Sequence, residues 1–474
     1  MSYHQAVYDE KLLNGIRSEN NFKFKNADEP DLPKEIMRKE LKLPNVAEFD
    51  VVRHYTRLSQ MNYCVDLGIY PLGSCTMKFN PKFADKIASF DEFNGSHPFQ
   101  HESTIQGNLQ IMHELQEYLK EISGMERVSL QPLAGAQGEY ASLLIIKKYL
   151  EAEGMSERTE VIIPDSAHGT NPASASMAGF SIVEIPSDKE GGIDIEALKE
   201  ALGPKTAAFM ITNPNTLGVF EPKIKEIAKL VHSAGALLYY DGANFNAIVG
   251  ITNPGKMGFD LVHFNLHKTF ATPHGGGGPG AGPIAVNRKL MDFIPTPFVD
   301  RDEKKYFFNY NVSRSIGKIS GFHGSFINLL RAWAYIKYHG SDGMSNNTVH
   351  AVMNANYISA RIMGKYENVS ASLKKHEVVV SSEKTGRKAM DIAKYLINNG
   401  VHSPTVYFPL IVHEALMIEP TEDVSLEELD RFCDLMIEVL EKDVSYLQSL
   451  PDVLPIGRAD EVKAAKDLCL KWDN

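Results

Sequence analysis

The sequence predicts an α/β protein built on a mostly parallel sheet, with a smaller α+β lobe at its C-terminal end. Two observations support this fold class. Between about residues 105 and 290, short apolar runs rich in β-branched residues alternate with helical periodicity, and those runs are continuous rather than alternating apolar and polar. Continuous apolar strands joined by helices are typical of a parallel sheet covered on both faces.

The order of elements follows from these patterns. Helical spacing opens the region at 106–122 and 136–150. We predict strands at 160–164, 181–185, 207–212, 237–240, 261–265 and 283–286, separated by helices at 171–178, 195–202 and 224–234. A long helix at 322–338 then leads to helices at 347–363, 387–399 and 425–448 and a strand-like segment at 405–410.

Three parts are expected along the chain. Residues 1–100 form an N-terminal arm, broken by Pro30, Pro33 and Pro44, and a loop segment at 70–82 that is rich in glycine, serine and proline. Long loops of this composition inside a compact protein are more often functional than idle. Residues 101–340 form a large domain, and residues 341–474 form a small C-terminal domain.

Composition excludes several classes of protein. The chain has 474 residues, a net charge of −11 and 43% hydrophobic residues, which is ordinary globular composition. The acidic balance argues against a nucleic-acid-binding face, and no apolar stretch is long enough to span a bilayer. No secretory signal is recognisable at the start, so we expect a cytoplasmic protein.

The cysteines fit neither a disulfide scaffold nor a zinc site, because they are few and scattered, with no C-x-x-C pair. They are Cys64, Cys75, Cys433 and Cys469. Cys433 and Cys469 are expected to be packing residues, whereas Cys75 lies in the loop at 70–82.

Two segments of the large domain could bind a flat, phosphorylated ligand. Gly135 and Gly138 open a helix, where free backbone N–H groups suit a phosphate, although an ordinary turn is the likelier reading of this segment alone. His168 follows the strand at 160–164, where its ring could stack on a ligand or exchange a proton; a structural role is equally plausible there.

Two further segments carry charge at strand ends. Asp241 ends an apolar strand, where a carboxylate is costly to bury unless it meets a cation; a helix cap is the alternative, and we favour the cation. Lys268 follows another strand and precedes the glycine-rich loop at 275–280, a context that favours a carbonyl-capturing amine. That loop matches neither a Walker loop nor a dinucleotide fingerprint. His263 and His267 do not share a helical face, so no metal site is predicted.

Together these parts predict a pyridoxal phosphate site. The cofactor needs a lysine for its Schiff base, an anion beside its pyridinium nitrogen, a helix start for its phosphate and a flat group over its ring. The sequence offers these in the order helix start, His168, Asp241 and Lys268. Each part is weak alone, and the set is specific.

Longer motifs at 70–82, 131–140, 164–179, 212–218, 241–247 and 263–282 closely resemble glycine dehydrogenase (decarboxylating), the P-protein of the glycine cleavage system. The resemblance covers most of the chain from about residue 50, and it is to the C-terminal, lysine-bearing half of that enzyme. It implies a split form in which this half is subunit 2. It also implies the pyridoxal-phosphate-dependent fold type I, which resembles aspartate aminotransferase.

The resemblance also implies roles for single residues. Lys268 would carry the cofactor as a Schiff base, His168 and Ala243 would contact the two faces of its ring, and Asp241 would pair with its pyridinium nitrogen. The backbone N–H groups of Ala136 and Gln137, at the helix start, would hold its phosphate. Thr212 and Asn213, at a strand end, are weaker candidates for polar contacts with the cofactor. The loop around Cys75 matches a segment near the active site.

The activity implied is decarboxylation of glycine, with transfer of the aminomethyl group to the lipoyl group of the carrier H-protein. The implied partner is subunit 1, in a heterotetramer of two copies of each subunit. Two alternatives remain. Another fold-type-I enzyme is one, although an aminotransferase would need an arginine near 402–410, and a desulfurase a loop cysteine between Cys75 and Cys433. A non-catalytic subunit is the other, against which the context of Lys268 argues.

Overall fold

A sheet of mainly parallel strands lies at the centre of the chain. The computed structural model describes residues 4–16, 32–37, 44, 46–275, 280–468 and 470. The helices of this part, in chain order, are α1 Glu48–Gln60, α2 Lys82–Ala88, α3 Asp91–Asn94, α4 Gln106–Ser123, α5 Gly135–Ala152, α6 Thr170–Met177, α7 Ile195–Ala201, α8 Ile224–Ser233, α9 Pro254–Met257, α10 Leu266–Thr269, α11 Phe326–Arg361, α12 Ala389–Asn398, α13 Leu426–Glu438, α14 Val444–Ser449 and α15 Glu461–Lys466.

Two main sheets and one hairpin contain the strands of the described residues. The strands are β1 Arg127–Ser129, β2 Glu160–Pro164, β3 Ser181–Ile185, β4 Thr206–Thr212, β5 Leu237–Gly242, β6 Leu261–Phe264, β7 Ile284–Val286, β8 Phe298–Arg301, β9 Tyr306–Asn309, β10 Glu367–Asn368, β11 Val378–Ser381, β12 Thr405–Val406 and β13 Ala415–Ile418. The large sheet has the order β1-β7-β6-β5-β4-β2-β3, the small sheet the order β10-β11-β13-β12, and β8 pairs with β9.

The large sheet is covered on both faces, as its apolar strands predict. Leu238 and Tyr240 of β5 belong to one apolar core, and their neighbours Leu237 and Tyr239 belong to the other. Side chains alternate between the faces of a strand, so each core covers one face of the sheet. Strands β3, β2, β4, β5 and β6 are parallel, and β7 and β1 complete one edge in antiparallel pairing.

The small sheet is antiparallel and holds part of the N-terminal loop segment. Leu72 forms a bridge with Ile418 of β13, Gly73 N–H donates to Met417 O, and Glu419 N–H donates to Pro71 O. Loop segment 71–73 therefore runs along β13 although about 340 residues separate the two in the chain.

The predicted elements of the large domain are confirmed, with ends shifted by one or two residues in most cases. The predicted long helix 322–338 is too short: α11 begins at Phe326 and continues to Arg361, with a kink at Gly340, where φ is 62° and ψ is −173°. Glycine adopts that conformation without strain, so two helical stretches join there. The strand-like segment 405–410 is strand only at Thr405–Val406. Tyr407 then has a φ of 60° and Pro409 has no N–H to donate, so the ladder stops.

The N-terminal arm lies partly outside the described residues, at 1–3, 17–31, 38–43 and 45. Its first described segment, 4–16, contacts α1: Glu10 binds His54 Nδ1 at 2.9 Å and Arg57 Nη1 at 3.0 Å. Cys433 is fully buried, as predicted, whereas Cys469 lies outside the described residues. The division of the chain at residues 100 and 340 stays a prediction. No helix of the described part is long and apolar enough to cross a membrane.

Candidate active site

The carboxyl ends of the parallel strands bring the predicted site residues together. Thr212 ends β4 and is in register with Asp241 of β5, which is in register with His263 of β6. His168 lies just beyond β2, and Lys268 lies on α10, the short helical turn that follows β6. Ligands of open α/β sheets bind at this edge, in the crevice where neighbouring connections diverge.

Asp241 is a buried carboxylate with several partners. Asn171 Nδ2 donates to its Oδ2 at 2.8 Å, Ala243 N–H donates to its Oδ1 at 2.8 Å, and His263 Nε2 lies 3.4 Å from Oδ1. Burial opposes its ionisation, but the His263 ring, these hydrogen bonds and the charge of Lys268 outweigh burial and hold its pKa below the ordinary value. Asp241 is therefore an anion at neutral pH.

Glu139, on the first turns of α5, is a second carboxyl group in the same buried region. It accepts hydrogen bonds from Thr170 Oγ1 at 2.9 Å, Ser174 Oγ at 3.1 Å and Asn171 Nδ2 at 3.2 Å. Burial and the neighbouring charge of Asp241 raise the pKa of Glu139 to about 7. When two carboxyl groups share one low-dielectric site, their pKa values move apart, so that one group stays ionised and the other holds a proton.

His168 is connected to Glu139 through a hydroxyl group. Its Nδ1 lies 2.9 Å from Thr170 Oγ1, the same oxygen that donates to Glu139. Burial, and then the charge of Lys268, lower the pKa of His168, so its ring is neutral at pH 7. The ring also packs edge-on against Phe408, with 5.6 Å between ring centroids. These contacts fix its orientation.

Lys268 reaches the N-terminal loop segment. Its Nζ donates to Ser74 O at 2.8 Å, and its positive charge lowers the pKa values of both Asp241 and His168. The structure therefore places Lys268, Asp241 and His168 within electrostatic range of one another. Cys75 is next in this loop, and burial raises the pKa of its thiol, which disfavours a nucleophilic thiolate.

The start of α5 lies where the sequence predicts a phosphate cradle. Ala136 and Gln137 are in its first turn, and the capping residue Ala134 has no side-chain hydrogen bond to the helix. A Cβ at Gly135 would lie 1.9 Å from Asn265 Oδ1, and a Cβ at Gly282 would lie 2.1 Å from Ala134 O. The glycine at 282 therefore permits the helix start to approach the backbone that enters β7, and the glycine at 135 leaves room for the Asn265 side chain that follows β6.

The remaining predicted residues differ in what their side chains do. Ala243 is buried directly after β5. Thr212 Oγ1 is buried and has no hydrogen-bond partner among the described residues. The Asn213 side chain is engaged by contacts within the protein interior. Its Oδ1 accepts from Glu221 N–H at 2.9 Å, and its Nδ2 contacts Met257 Sδ at 3.7 Å. Residues 276–279 of the glycine-rich loop lie outside the described part of the chain.

Comparison with known proteins places this site in a family. Residues 347–450 match the family described as "Glycine dehydrogenase, C-terminal domain", and residues 136–292 match "Aminotransferase class-V". The chain is 62% identical over 473 residues, and over 100% of both chains, to the probable glycine dehydrogenase (decarboxylating) subunit 2 of Thermoplasma acidophilum. It is 51% identical to the protein of that name from Pyrococcus horikoshii, over 99% of this chain and 97% of the other.

The chain belongs to the glycine dehydrogenase (decarboxylating) subunit 2 family. A solved structure described as glycine decarboxylase (P-protein) of the glycine cleavage system, in inhibitor-bound form, superimposes with a TM-score of 0.74. Identity is 20%, over 86% of this chain and 93% of the other, so this likeness concerns the fold. The predicted fold class, pyridoxal-phosphate-dependent fold type I, is confirmed.

The residues of this subunit 2 family member fit pyridoxal phosphate. An uncapped helix start suits the phosphate, a buried anion suits the pyridinium nitrogen, and Lys268 supplies the amine. The unpartnered hydroxyl of Thr212 is a buried polar group that a ligand would satisfy, since such groups are costly when left without a hydrogen bond.

Several polar residues of the site were not assigned by the sequence. Glu139 lies within the motif at 131–140, and its carboxyl group on an apolar helix was a signal that could have marked it. Asn171 bridges Glu139 and Asp241, which no spacing predicts. Glu377 and Glu419 flank apolar strands of the small sheet, and their proximity to Lys268 depends on tertiary structure alone.

Proposed function

We propose that this chain is the catalytic subunit 2 of a split P-protein. It would decarboxylate glycine with pyridoxal 5′-phosphate and transfer the aminomethyl group to the lipoyl group of H-protein, releasing carbon dioxide. The observation that carries the proposal is full-length similarity to relatives named glycine dehydrogenase (decarboxylating) subunit 2, together with Lys268 beside the ionised Asp241 at the sheet edge.

The residues proposed to hold the cofactor are those that converge at this edge. Lys268 would bind it covalently as a Schiff base, and backbone N–H groups of Ala136 and Gln137 would hold the phosphate. His168 and Ala243 would contact the two ring faces. Three other residues complete the proposed set: Asp241 at the pyridine nitrogen, Thr212 through its free hydroxyl, and Asn213 next to it, whose interior hydrogen bonds hold the end of β4.

The side chains of this set would each have a defined part in the reaction. When bound, the cofactor would supply the electron sink for the carbanion that remains at Cα of glycine after carbon dioxide leaves. Asp241 would keep the pyridine nitrogen protonated, because its carboxylate stays ionised at neutral pH. The neutral ring of His168 and the amine of Lys268 would accept and return protons.

The proposal includes partners and a location. A "subunit 2" implies a partner subunit, and we propose subunit 1, in a heterotetramer of two copies of each chain. Lipoylated H-protein is the proposed carrier, and no nucleic acid or membrane is a proposed partner. The proposed compartment is the cytoplasm. Co-purification followed by light scattering tests the assembly, and cell fractionation tests the location.

Exchange of labelled bicarbonate into the carboxyl group of glycine tests the function. The assay uses lipoylated H-protein and compares this subunit alone, the subunit with subunit 1, and the pair carrying Lys268→Ala. We expect exchange only in the complete pair, and a loss of at least about 10³-fold in the variant, because Lys268 is the amine proposed to bind the cofactor. Lys225→Ala, at an exposed lysine of α8, is the matched control and should retain full exchange.

A complete mixture that binds the cofactor but exchanges no bicarbonate would refute decarboxylation of glycine. The cofactor site would then be tested with other amino acids, following the absorbance of the bound cofactor.

A further inference from the structure

Two buried glutamates from the small sheet lie beside Lys268. Glu377 immediately precedes β11 and Glu419 immediately follows β13, and the antiparallel register pairs Val378 with Ile418, so the two glutamates are neighbours. Both are fully buried. Neither has a role in the function proposed above, and burying two carboxyl groups has a cost that the fold must offset.

The two glutamates clamp one turn of the N-terminal loop segment. Ser74 N–H donates to Glu377 Oε2 at 2.9 Å, Thr76 N–H donates to Glu419 Oε2 at 3.0 Å, and Thr76 Oγ1 donates to Glu419 Oε1 at 2.5 Å. Ser74 and Thr76 have φ angles of 63° and 41°, in the left-handed region that L side chains rarely adopt. The carboxyl groups therefore hold a backbone shape that the turn would not keep alone.

The clamped turn presents its carbonyl groups to the lysine-bearing segment. Ser74 O accepts from Lys268 Nζ at 2.8 Å, and Cys75 O lies 2.8 Å from His274 Nε2. The charge of Lys268 also reaches both glutamates, and it acts to lower the pKa of each. The turn thus lies between the amine and the two carboxyl groups, in contact with all three.

The pair retains a proton at neutral pH. Burial and then the charge of Glu419 raise the pKa of Glu377 well above its ordinary value, and burial raises the pKa of Glu419 to about 7. His376 Nε2 lies 3.8 Å from an oxygen of each glutamate, but burial lowers its pKa to about 3, so it adds no charge.

Among the residues that the structure describes, few other charged or titratable groups face the pair. Lys78 lowers the pKa of Glu419, and the Asn244 amide donates to Glu377 Oε1 at 3.3 Å. Both glutamates act in turn on Cys75, raising the pKa of its thiol, which burial raises more strongly.

We propose that the Ser74–Thr76 turn, clamped by Glu377 and Glu419, is the docking position of the free Lys268 amine, and that both glutamates are positioning residues. The cofactor-binding lysine must release the cofactor whenever the substrate amine takes its place, and the released amine then needs an acceptor. Ser74 O is that acceptor. The need for release rests on the function proposed above, whereas the hydrogen bond from Lys268 Nζ to Ser74 O is a contact within the chain itself.

Acetylation of cofactor-free protein by limiting acetic anhydride tests the proposal. Peptide mass spectrometry measures the rate at Lys268 relative to the exposed Lys225 of the same chain. Loss of one hydrogen bond to a charged group corresponds to a factor of about ten, so Glu377→Gln with Glu419→Gln should acetylate Lys268 about tenfold faster than wild type. Because neither glycine nor cofactor is present, failure of the decarboxylase function would not alter this result.

A matched control should leave the rate unchanged: Glu383→Gln removes an exposed carboxylate of the same lobe. If the double variant does not fold, Thr76→Val replaces it, since this change removes only the hydroxyl bond to Glu419 and should give a smaller increase. A Lys268 acetylation rate equal to wild type in the folded double variant, or in Thr76→Val where that variant replaces it, would overturn the proposal.

Infrared spectroscopy supplies a readout that a purely structural role would not change. Removing the positive charge in Lys268→Met should drive Glu419 to take up a proton at pH 7, and the absorption of protonated carboxyl groups should increase relative to wild type. The increase should disappear when Glu419→Gln is added. No increase in folded Lys268→Met protein would show that the amine and the pair are not coupled, against the proposal.

Discussion

At the scale of single residues, the site is organised by carboxyl groups whose protonation states differ. Asp241 and Glu139 share the Asn171 amide, yet the first stays ionised and the second titrates near neutral pH. The difference arises because Asp241 has the His263 ring and the charge of Lys268 nearby, whereas burial dominates at Glu139. Glu139 is therefore the carboxyl group of this pair that gains or loses a proton near neutral pH.

A Glu139→Gln variant should change the pH dependence of stability. The pKa of Glu139 is raised from 4.5 to about 7 by folding, so its stabilising proton is fully held below pH 4.5 and lost as the pH rises to 7. Glutamine imitates the protonated form at every pH. Between pH 5 and 8 we expect the free energy of unfolding of the variant to rise by about 2–3 kcal/mol relative to wild type.

Urea unfolding of cofactor-free protein at several pH values measures this change. Ser174→Ala removes a hydrogen bond to the same carboxyl group without fixing the charge of Glu139. The difference in free energy of unfolding between Ser174→Ala and wild type should therefore vary far less with pH. A Glu139→Gln difference that is constant across the range would contradict the assignment of the proton.

At the scale of elements, the site depends on the close approach of the start of α5 to the segment before β7. A methyl group at Gly282 would lie 2.1 Å from Ala134 O and 3.0 Å from Gly135 N, both of them backbone atoms that cannot rotate away. The two segments meet because β7 lies in the sheet beside β6, while α5 covers β6. The position of the proposed phosphate cradle is thus set by strand order.

Gly282→Ala should shift the helix start and weaken cofactor binding. Overpacking of this kind costs about 1–3 kcal/mol of stability, and we expect the dissociation constant of pyridoxal phosphate to increase at least several-fold. Calorimetry and equilibrium dialysis measure the two effects. Gly203→Ala is the control, since a Cβ there meets nothing within 4 Å, and its stability should stay within about 0.5 kcal/mol of wild type.

Most of the strands that sequence patterns predicted are buried on both faces, although β3 is largely exposed. The run at Thr206–Thr212 is entirely buried and was recognised, whereas β1 at Arg127–Ser129 has a single apolar residue between two polar ones and so no apolar run to detect. The same limit applies to the site. Asp241 and Lys268 follow strands and could be found, but Glu377 reaches Lys268 only because the small sheet binds the loop around Ser74. Such a contact depends on the packing of distant segments.

At the scale of the whole molecule, an ion pair joins three distant parts of the chain. Lys78 Nζ lies 2.6 Å from Glu422 Oε1 and donates to Thr269 O at 2.9 Å, one residue beyond Lys268. The Lys78 and Glu422 side chains are 3% and 9% exposed. Burial acts to lower the pKa of Lys78, but the charge and hydrogen bond of Glu422, together with Tyr335 and Asp423, outweigh burial and raise it, so the ammonium stays charged.

Glu422→Gln should therefore destabilise the molecule strongly. Removing one partner of a buried pair leaves the other charge uncompensated, at a cost of about 3–5 kcal/mol. The surface pair Lys199–Glu196 is the control, and Glu196→Gln should cost less than about 1 kcal/mol. Denaturant titration of both variants tests the contrast; equal, small effects would mean that Lys78 is better solvated than its contacts indicate.

The pairing of loop segment 71–73 with β13 has a consequence for synthesis of the chain. Pro71 O receives its hydrogen bond from Glu419, and the turn at Ser74 is clamped by residues 377 and 419. During translation, Lys268 leaves the ribosome before Glu377 and Glu419 have been synthesised. A nascent chain that has completed the large sheet thus has Lys268 on α10, while the turn that accepts its hydrogen bond, Ser74–Thr76, still lacks both glutamates. The lysine gains its final surroundings only when the polypeptide is almost fully made.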